Sequence, residues 1–518
     1  MVDLVLSGWI VDGTGANAFA GWVAVERDRI TGVGRLGEPA PEASRSIGGD
    51  GLVVAPGFVD VHNHSDLSPF LLPEMPSTVR QGVTSIVVGN CGSSPLPLAG
   101  WDEAVSLTYG EPGSIPRPGW TGWRDYLDAI DVARPAVNLA TLVGHGSIRQ
   151  EVLGLARRAP TTSELNRMRR LVHEAVADGA AGLSTGLIYV PGIFSGTDEV
   201  VALAAAAAEA GGLYASHIRG EGRDLFDAVG EALEIGARAG ARVHVSHLKC
   251  ESARVWGRAE ELLGVLHDAP DATGDQYPYA AWNSSLASLL PPWAPVTDIA
   301  SIAATAGARL RAAVETGEPE FQSSVDGVGW DRIVLVTAPR RSWTGRHVAA
   351  VAQELGLEPF DAFIQLLQTD PEISCIGHAM AEEDVRAIVA DPAVFVASDA
   401  SATAPDGPGG HLPVHPRDYG TFPRALAMAR EGLLPLEAMV RKMTALPAER
   451  FGLRERGRIT VGAFADLVLF DPATVRDAAT FEEPHRYPEG FSCVVVNGAV
   501  AWEPGTTSIA RAGRALRH

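Results

Sequence analysis

Six side chains of metal-ligating type stand at the ends of short apolar runs. His62 and His64 lie two residues apart in GFVDVHNHSD, and because side chains on an extended chain alternate with period two, both project to one face. One face can hold one metal ion. His217 closes YASHI, His247 closes VHVSH, Asp399 closes VFVASD, and Cys91 ends TSIVVGNC with Gly89 and Gly92 close on either side. Imidazole together with thiolate favours zinc, with carboxylate or water completing the shell. Such a site suits a demanding hydrolysis. An amide is a poor electrophile with a poor leaving group, zinc lowers the pKa of a bound water to roughly 7 and polarises a carbonyl, and a carboxylate such as Asp399 can take the water proton and return it to nitrogen.

Neighbouring residues divide less sharply. Lys249 follows His247 by two, so if the strand persists it faces the same mouth, where a cation would orient a substrate carboxylate; a solvated strand-end lysine is the plainer reading. His244 precedes His247 by three and is expected on the opposite face, toward helices. His145, in LVGHGSIR, fits either a supporting group behind the ligands or a hydrogen-bonded core residue, and His415, in HPRDYGTFPR, is assigned a structural place. Four cysteines among 518 residues, with no CxxC spacing, are too few for a disulfide scaffold.

Eight strand-length runs can position this set: residues 57–64, 84–91, 137–146, 181–187, 212–218, 241–248, 272–279 and 394–399. Helical stretches lie between them, the pattern of parallel βα units. Eight such units are the count for an α/β fold of the (β/α)8 TIM-like barrel type, whose chemistry sits at the strand C-terminal ends. The stretch 280–393, carrying Trp282, Trp293, Trp330 and Trp343, is too long for one crossover and reads as an inserted subdomain or lid. Short alternating strands at both chain ends point to one small β-sandwich built from 1–55 with 455–518, beside a barrel spanning 56–454.

Composition narrows the partners. A hydrophobic fraction of 46% with 20% charged residues is globular. Lys and Arg number 42 against 63 Asp and Glu, a formal charge of −21, which repels phosphate backbones and anionic lipid; nucleic acid and membrane partners are not expected. The longest apolar run, VVALAAAAAEAGGLYA, is Ala-rich and interrupted, as in a packed helix rather than a membrane span. No basic segment followed by an apolar stretch opens the chain, so a cytoplasmic location is expected.

The entry GFVDVHNHSD, the Asp399 strand and the closing GRITVGAFADLVLFDP resemble the amidohydrolase superfamily. Within it, QGVTSIVVGNCGSSPLPL, VGHGSIRQEVLG, GLSTGLIYVPG, SHIRGEG, SHLKCE, DQYPYAA and HPRDYGTFPRAL resemble the D-aminoacylase, or N-acyl-D-amino-acid deacylase, branch. That resemblance implies a zinc held firmly by Cys91, His217 and His247 and a weaker second position with His62 and His64. It also implies Asp399 as general acid/base, and Lys249, Tyr189 and Tyr279 binding the carboxylate or carbonyl of an N-acyl amino acid. The eighth-strand motif, ASDASATAPDGPGG, lacks the glycine that commonly follows this aspartate in the family, so the pocket near Asp399 is expected to differ in shape. Two other functions compete: a cyclic-amide hydrolase of the hydantoinase or dihydroorotase kind, which would want a bridging lysine that AGLSTGLIYV does not contain, and a barrel scaffold without catalysis, which the full ligand set argues against.

Overall fold

The computed structural model describes residues 1–101, 105, 116–319, 321–407, 410 and 414–518. Both chain ends contribute to one seven-stranded sheet. Its strands are β1 (Val2–Ile10), β2 (Phe19–Glu26), β3 (Arg29–Arg35) and β4 (Ala43–Pro56) from the start, and three near the finish, Leu467–Phe470, Phe491–Val496 and Ala499–Trp502. Hydrogen bonds join all seven into one continuous sheet. The reason is β4: its 14 residues run long enough to pair with β1 in parallel and, at Val53–Pro56, with Leu467–Phe470 in antiparallel fashion, joining both halves. Period two then sorts the side chains. Val54, Leu467 and Leu469 enter a core of this sheet's own, whereas Val53, Ala55, Val468 and Phe470 face the main body.

The main body is parallel α/β. Each of the eight expected runs contains a strand, but 137–146 breaks at Leu142 and yields two, so nine strands form two sheets. One sheet orders β5 (Phe58–Asp60), β6 (Val83–Val88) and β7 (Asn138–Thr141). The other contains β8 (Val143–Gly144), β9 (Gly182–Gly186), β10 (Leu213–His217), β11 (Val243–Val245), β12 (Thr273–Gln276) and, at its far edge, Val394–Val396. Hydrogen bonds cross both seams: Leu142 N–H donates to Val88 O at 2.8 Å, and Asp399 N–H to His62 O at 2.8 Å.

Between the sheets, Val59, Val61, Val87 and Ala140 meet Leu213, Ala215, Phe395 and Ala397, closed below by Ala448, Phe451 and Leu453. The alternate residues, among them Phe58, Ile86, Val243, Val245 and Val396, pack outward in the larger core with the helices. Each such side chain, fully buried, contributes about 1.5–3 kcal/mol. The helices are specified locally as well. Thr162–Ala177 begins on a reciprocal cap in which Thr161 Oγ1 accepts from Glu164 N–H and the Glu164 carboxylate accepts from Thr161 N–H, and it buries the stripe Met168, Val172, Ala175 and Val176.

Within the stretch read as an insertion, β13 (Trp282–Ser285), β14 (Ile333–Leu335) and β15 (Ser374–Gly377) form a separate antiparallel sheet. A core of its own includes Trp282, Trp330, Trp343 and Phe363, so three of the four tryptophans are its packing centre and Trp293 lies against it. The main body resumes sooner than expected: helix Glu382–Ala390 already places Val385, Ile388 and Val389 in the main core. The last residues also leave the end sheet. Leu516 N–H donates to Leu139 O and His518 N–H to Gly179 O, binding the tail to the main body.

Candidate metal centre

Sharp turns, rather than strands alone, aim the ligands. Cys91, His247 and Asp399 have φ of 54°, 35° and 50°, left-handed conformations that L-residues adopt at some cost. Around Cys91 the turn is tightly clamped. A Cβ on Gly186 would lie 2.0 Å from Cys91 O, and one on Gly92 2.6 Å from Gly186 N, so both positions need glycine. Ser184 Oγ donates to Gly89 O at 2.5 Å and accepts from Gly92 N–H at 3.1 Å.

The six ligand-type residues converge. Ligand atoms of His62, His64, Cys91 and Asp399 lie within 4.8 Å of one another, as do those of Cys91, His217 and His247, so the thiolate belongs to both groups. His62 Nε2 is 3.3 Å from Cys91 Sγ and 3.3 Å from Asp399 Oδ1, His64 Nε2 is 3.1 Å from Asp399 Oδ1, and His247 Nε2 is 3.5 Å from Cys91 Sγ. Burial by itself would raise the Cys91 thiol, but the His62 and His247 imidazoles bring it well below the ordinary thiol range. Burial pushes the other three cysteines up, Cys250 and Cys493 to about 12. A metal fits this set on independent grounds: among the described residues neither buried ring nitrogen of His217 has a hydrogen-bond partner, and an orphaned imidazole beside a thiolate is what zinc would satisfy.

Asp399 is held as a carboxylate. Burial would raise its carboxyl, but Arg417, whose Nη1 lies 2.8 Å from Oδ2, and then His62 hold it well below the usual carboxylate range. Arg417, which the sequence reading passed over, is itself 5% exposed, stands 4.7 Å above the Tyr277 ring and has a buried Nε without a partner among the described residues. His415, placed as structural, holds it: Nδ1 accepts from Arg417 N–H at 3.0 Å and Nε2–H reaches Ala281 O at 3.1 Å.

Three residues differ from their expected surroundings. Lys249 is near the ligands but already engaged: Nζ donates to Glu221 Oε1 at 2.5 Å and lies 2.9 Å from His247 Nδ1. Glu221, also missed, stands four residues after His217 in SHIRGE, a spacing that could have drawn notice. Tyr279 points away, its hydroxyl 3.3 Å from Asp477 Oδ2 and its ring beneath Arg424. Tyr277 takes the inner place, with a buried hydroxyl that has no partner among the described residues. A hydrogen bond from Tyr279 N–H to Tyr277 O, 2.9 Å, turns the chain between the two tyrosines and breaks the period-two projection. His244 faces inward rather than toward helices, against Phe395 and Phe451. β11 ends at Val245 and His247 turns left-handed, so counting by twos fails between them.

Tyr189 sits at the half-buried rim with its ring 4.9 Å from that of His217. His145 is fully buried, with Nε2 2.9 Å from Glu199 Oε1, which also pairs with Arg149; that makes it an internal strut. Of the loop between Asp399 and His415, residues 408–409 and 411–413 lie outside the described residues.

Known proteins are similar to this chain over its full length. The profile of the Amidohydrolase family matches residues 49–319 and 365–501. The chain is 36% identical to a D-aminoacylase of Alcaligenes xylosoxydans xylosoxydans, covering 99% of this chain and 97% of that one, and 35% identical to an N-acyl-D-glutamate deacylase of the same organism, covering 100% and 96%. The crystal structure of an N-acyl-D-glutamate deacylase from Bordetella bronchiseptica, complexed with zinc and a phosphonate mimic of the tetrahedral intermediate, superposes with a TM-score of 0.83 at 34% identity over the whole of both chains. A D-hydantoinase, at 16% identity and a TM-score of 0.54, shares the fold. The chain belongs to the amidohydrolase family, in its D-aminoacylase branch.

Proposed function

We propose that this chain is a zinc-dependent hydrolase that removes the acyl group from N-acyl-D-amino acids. The observation that carries the reading is one thiolate shared by two groups of ligands, facing a carboxylate held ionised by a buried arginine. The two parallel sheets act as one (β/α)8 barrel over 56–454. The end sheet, 1–55 with 455–518, and the inserted subdomain within 280–393 flank it as separate domains.

Cys91, His217 and His247 would hold the tighter zinc, and His62 and His64 a second, weaker one beside the same thiolate. When bound, zinc lowers the pKa of a water to roughly 7 and polarises the amide carbonyl. Asp399 Oδ1, turned toward His62 and His64, takes the proton from the attacking water and delivers it to the amide nitrogen as the C–N bond breaks. Arg417 keeps that carboxylate ionised and offers its unpartnered Nε to the α-carboxylate of the substrate, with the Tyr277 hydroxyl beside it. Lys249 holds Glu221 against His247; Tyr189 covers the acyl side of the mouth. Preference for the D series follows from the names of the relatives. Those relatives, similar at 36% and 35%, are named for different substrates, so identity does not select the side chain.

The test is a screen of N-acetyl and N-formyl D- and L-amino acids, dipeptides and a hydantoin on zinc-loaded enzyme. Hydrolysis confined to N-acyl-D-amino acids is expected. Faster opening of the cyclic amide would replace the deacylase reading by the cyclic-amide one.

A further inference from the structure

We infer that Asp275 is a positioning residue for the weaker metal position, and that the buried chain Thr273–His244–Asp275 fixes the ring form in which His62 presents Nε2 to the centre. Three groups meet this one carboxylate. Its Oδ2 lies 2.8 Å from His244 Nε2 and 3.3 Å from His62 Nδ1, while Oδ1 accepts the His247 backbone N–H at 2.9 Å. An ionised carboxylate only accepts, so both ring nitrogens facing Oδ2 carry hydrogen. A ligating imidazole is neutral, so for His62 as a ligand this leaves the lone pair on Nε2, toward Cys91 and Asp399. For His244, packed against Phe395 and Phe451 and held neutral by burial, it leaves Nδ1 bare, and Thr273 Oγ1 donates to it from 2.9 Å.

The geometry follows from strand pairing. Thr273 and Asp275 stand two apart on β12, and His244 is the register partner of Thr273 on β11, so all three side chains share the inner face. Asp275 is 1% exposed and reaches no substrate position; its action passes through His62 and through the left-handed turn at His247. A carboxylate behind a ligating imidazole fixes both its orientation and which nitrogen is free. Here one carboxylate serves an imidazole of one ligand group and the backbone of the other.

This inference rests on the metal-site reading above. The experiment measures zinc binding by competition with a chromophoric chelator and, in cobalt-substituted protein, the visible bands of the metal and its thiolate. In Asp275→Asn the amide oxygen can stay on His247 N–H only by placing NH2 against His62 Nδ1 and His244 Nε2. His62 must then move its hydrogen to Nε2. Affinity at the weaker position is expected to fall by about 10–100-fold, with the tighter position and its cobalt–thiolate band retained. Thr273→Val, a change of one hydroxyl for a methyl, is expected to give a smaller loss at the same position, and decides the matter should Asp275→Asn fail to fold. Unchanged binding at the weaker position in both variants overturns the inference. So does equal loss from both positions with a lowered melting temperature of the metal-free protein, which would mark a general support of the fold. A parent protein that takes up no zinc at all defeats the metal-site reading itself, a result distinct from either.

Discussion

Replacing Arg417 and Lys249 separately by methionine distinguishes two cations that sequence alone treats alike. Arg417 is buried, its Nε has no hydrogen-bond partner among the described residues, and its Nη1 pairs with Asp399. Lys249 is committed to Glu221 and lies against His247. A charge-assisted hydrogen bond contributes roughly 1.5–3 kcal/mol, so loss of the arginine is expected to lower kcat/KM about 10–150-fold on an N-acyl-D-amino acid relative to the matching carboxamide. Arg417→Met also leaves Asp399 without its guanidinium, which raises the carboxyl and weakens the base toward both substrates equally; the acid-to-amide ratio removes that common factor. Lys249→Met leaves Glu221 buried without its partner, disturbs His247 and therefore lowers both rates together, with loss of zinc. The assay is steady-state hydrolysis of the acid and amide pair by parent, single and double variants, with zinc content measured on each. An Arg417→Met enzyme that keeps the parent's acid-to-amide ratio, or a Lys249→Met enzyme that changes it while retaining zinc, would refute the assignment of roles.

Asp399→Asn is expected to keep most of its metal and lose on the order of 10²–10⁴ in turnover; elemental analysis alongside kinetics checks this, and loss of zinc would instead make Asp399 chiefly a ligand. Cys91→Gly and Cys91→Ala should both lose the tighter zinc, but at φ 54° the glycine variant should be the more stable of the two by about 1 kcal/mol, visible as a higher melting temperature of metal-free protein. Lys442 supplies a pH prediction: burial brings its ammonium from 10.5 down to about 7, and Nζ donates to Asp391 O. The unfolded chain therefore holds a proton that the folded chain releases between these values, so stability rises with pH across that window and the penalty is full below pH 7. At 1.36 kcal/mol per unit over roughly 3.5 units, Lys442→Met avoids at most about 5 kcal/mol, less about 1 for the lost hydrogen bond. Its melting-temperature advantage should narrow from pH 6 to pH 9, and a constant gap would count against the cause given.

The strands and the convergence of the ligand-type residues could be read from sequence because each such residue closes an apolar run. The period-two rule itself stops short of several of them, since β6 ends at Val88 and β11 at Val245. His244 and Tyr279 were misplaced because His247 turns left-handed after β11 and because the chain folds back at Pro278, neither of which alternation encodes. Arg417 and Asp275 escaped for another reason. Asp275 matters through His62, 213 residues earlier, and Arg417 through its place between Asp399 and the Tyr277 ring, and a single sequence does not display such pairings. The end sheet shows the same limit: both halves were recognisable as strands, yet their joining along β4 depends on a register that only the folded chain fixes.

That joining also sets an order of events during synthesis. Residues Val53–Pro56 lie between β1 on one side and Leu467–Phe470 on the other, so the emerging N-terminal strands present an uncovered apolar edge until the whole main body has left the ribosome. With roughly 400 residues between the two partners, elongation at about 5–20 residues per second leaves that edge open for about 20–80 s. An unpaired strand edge invites pairing with another chain. The parallel α/β body must therefore assemble beneath a half-built sheet, and expression at lower temperature or with a holding chaperone should raise the soluble yield chiefly by shielding residues 43–56.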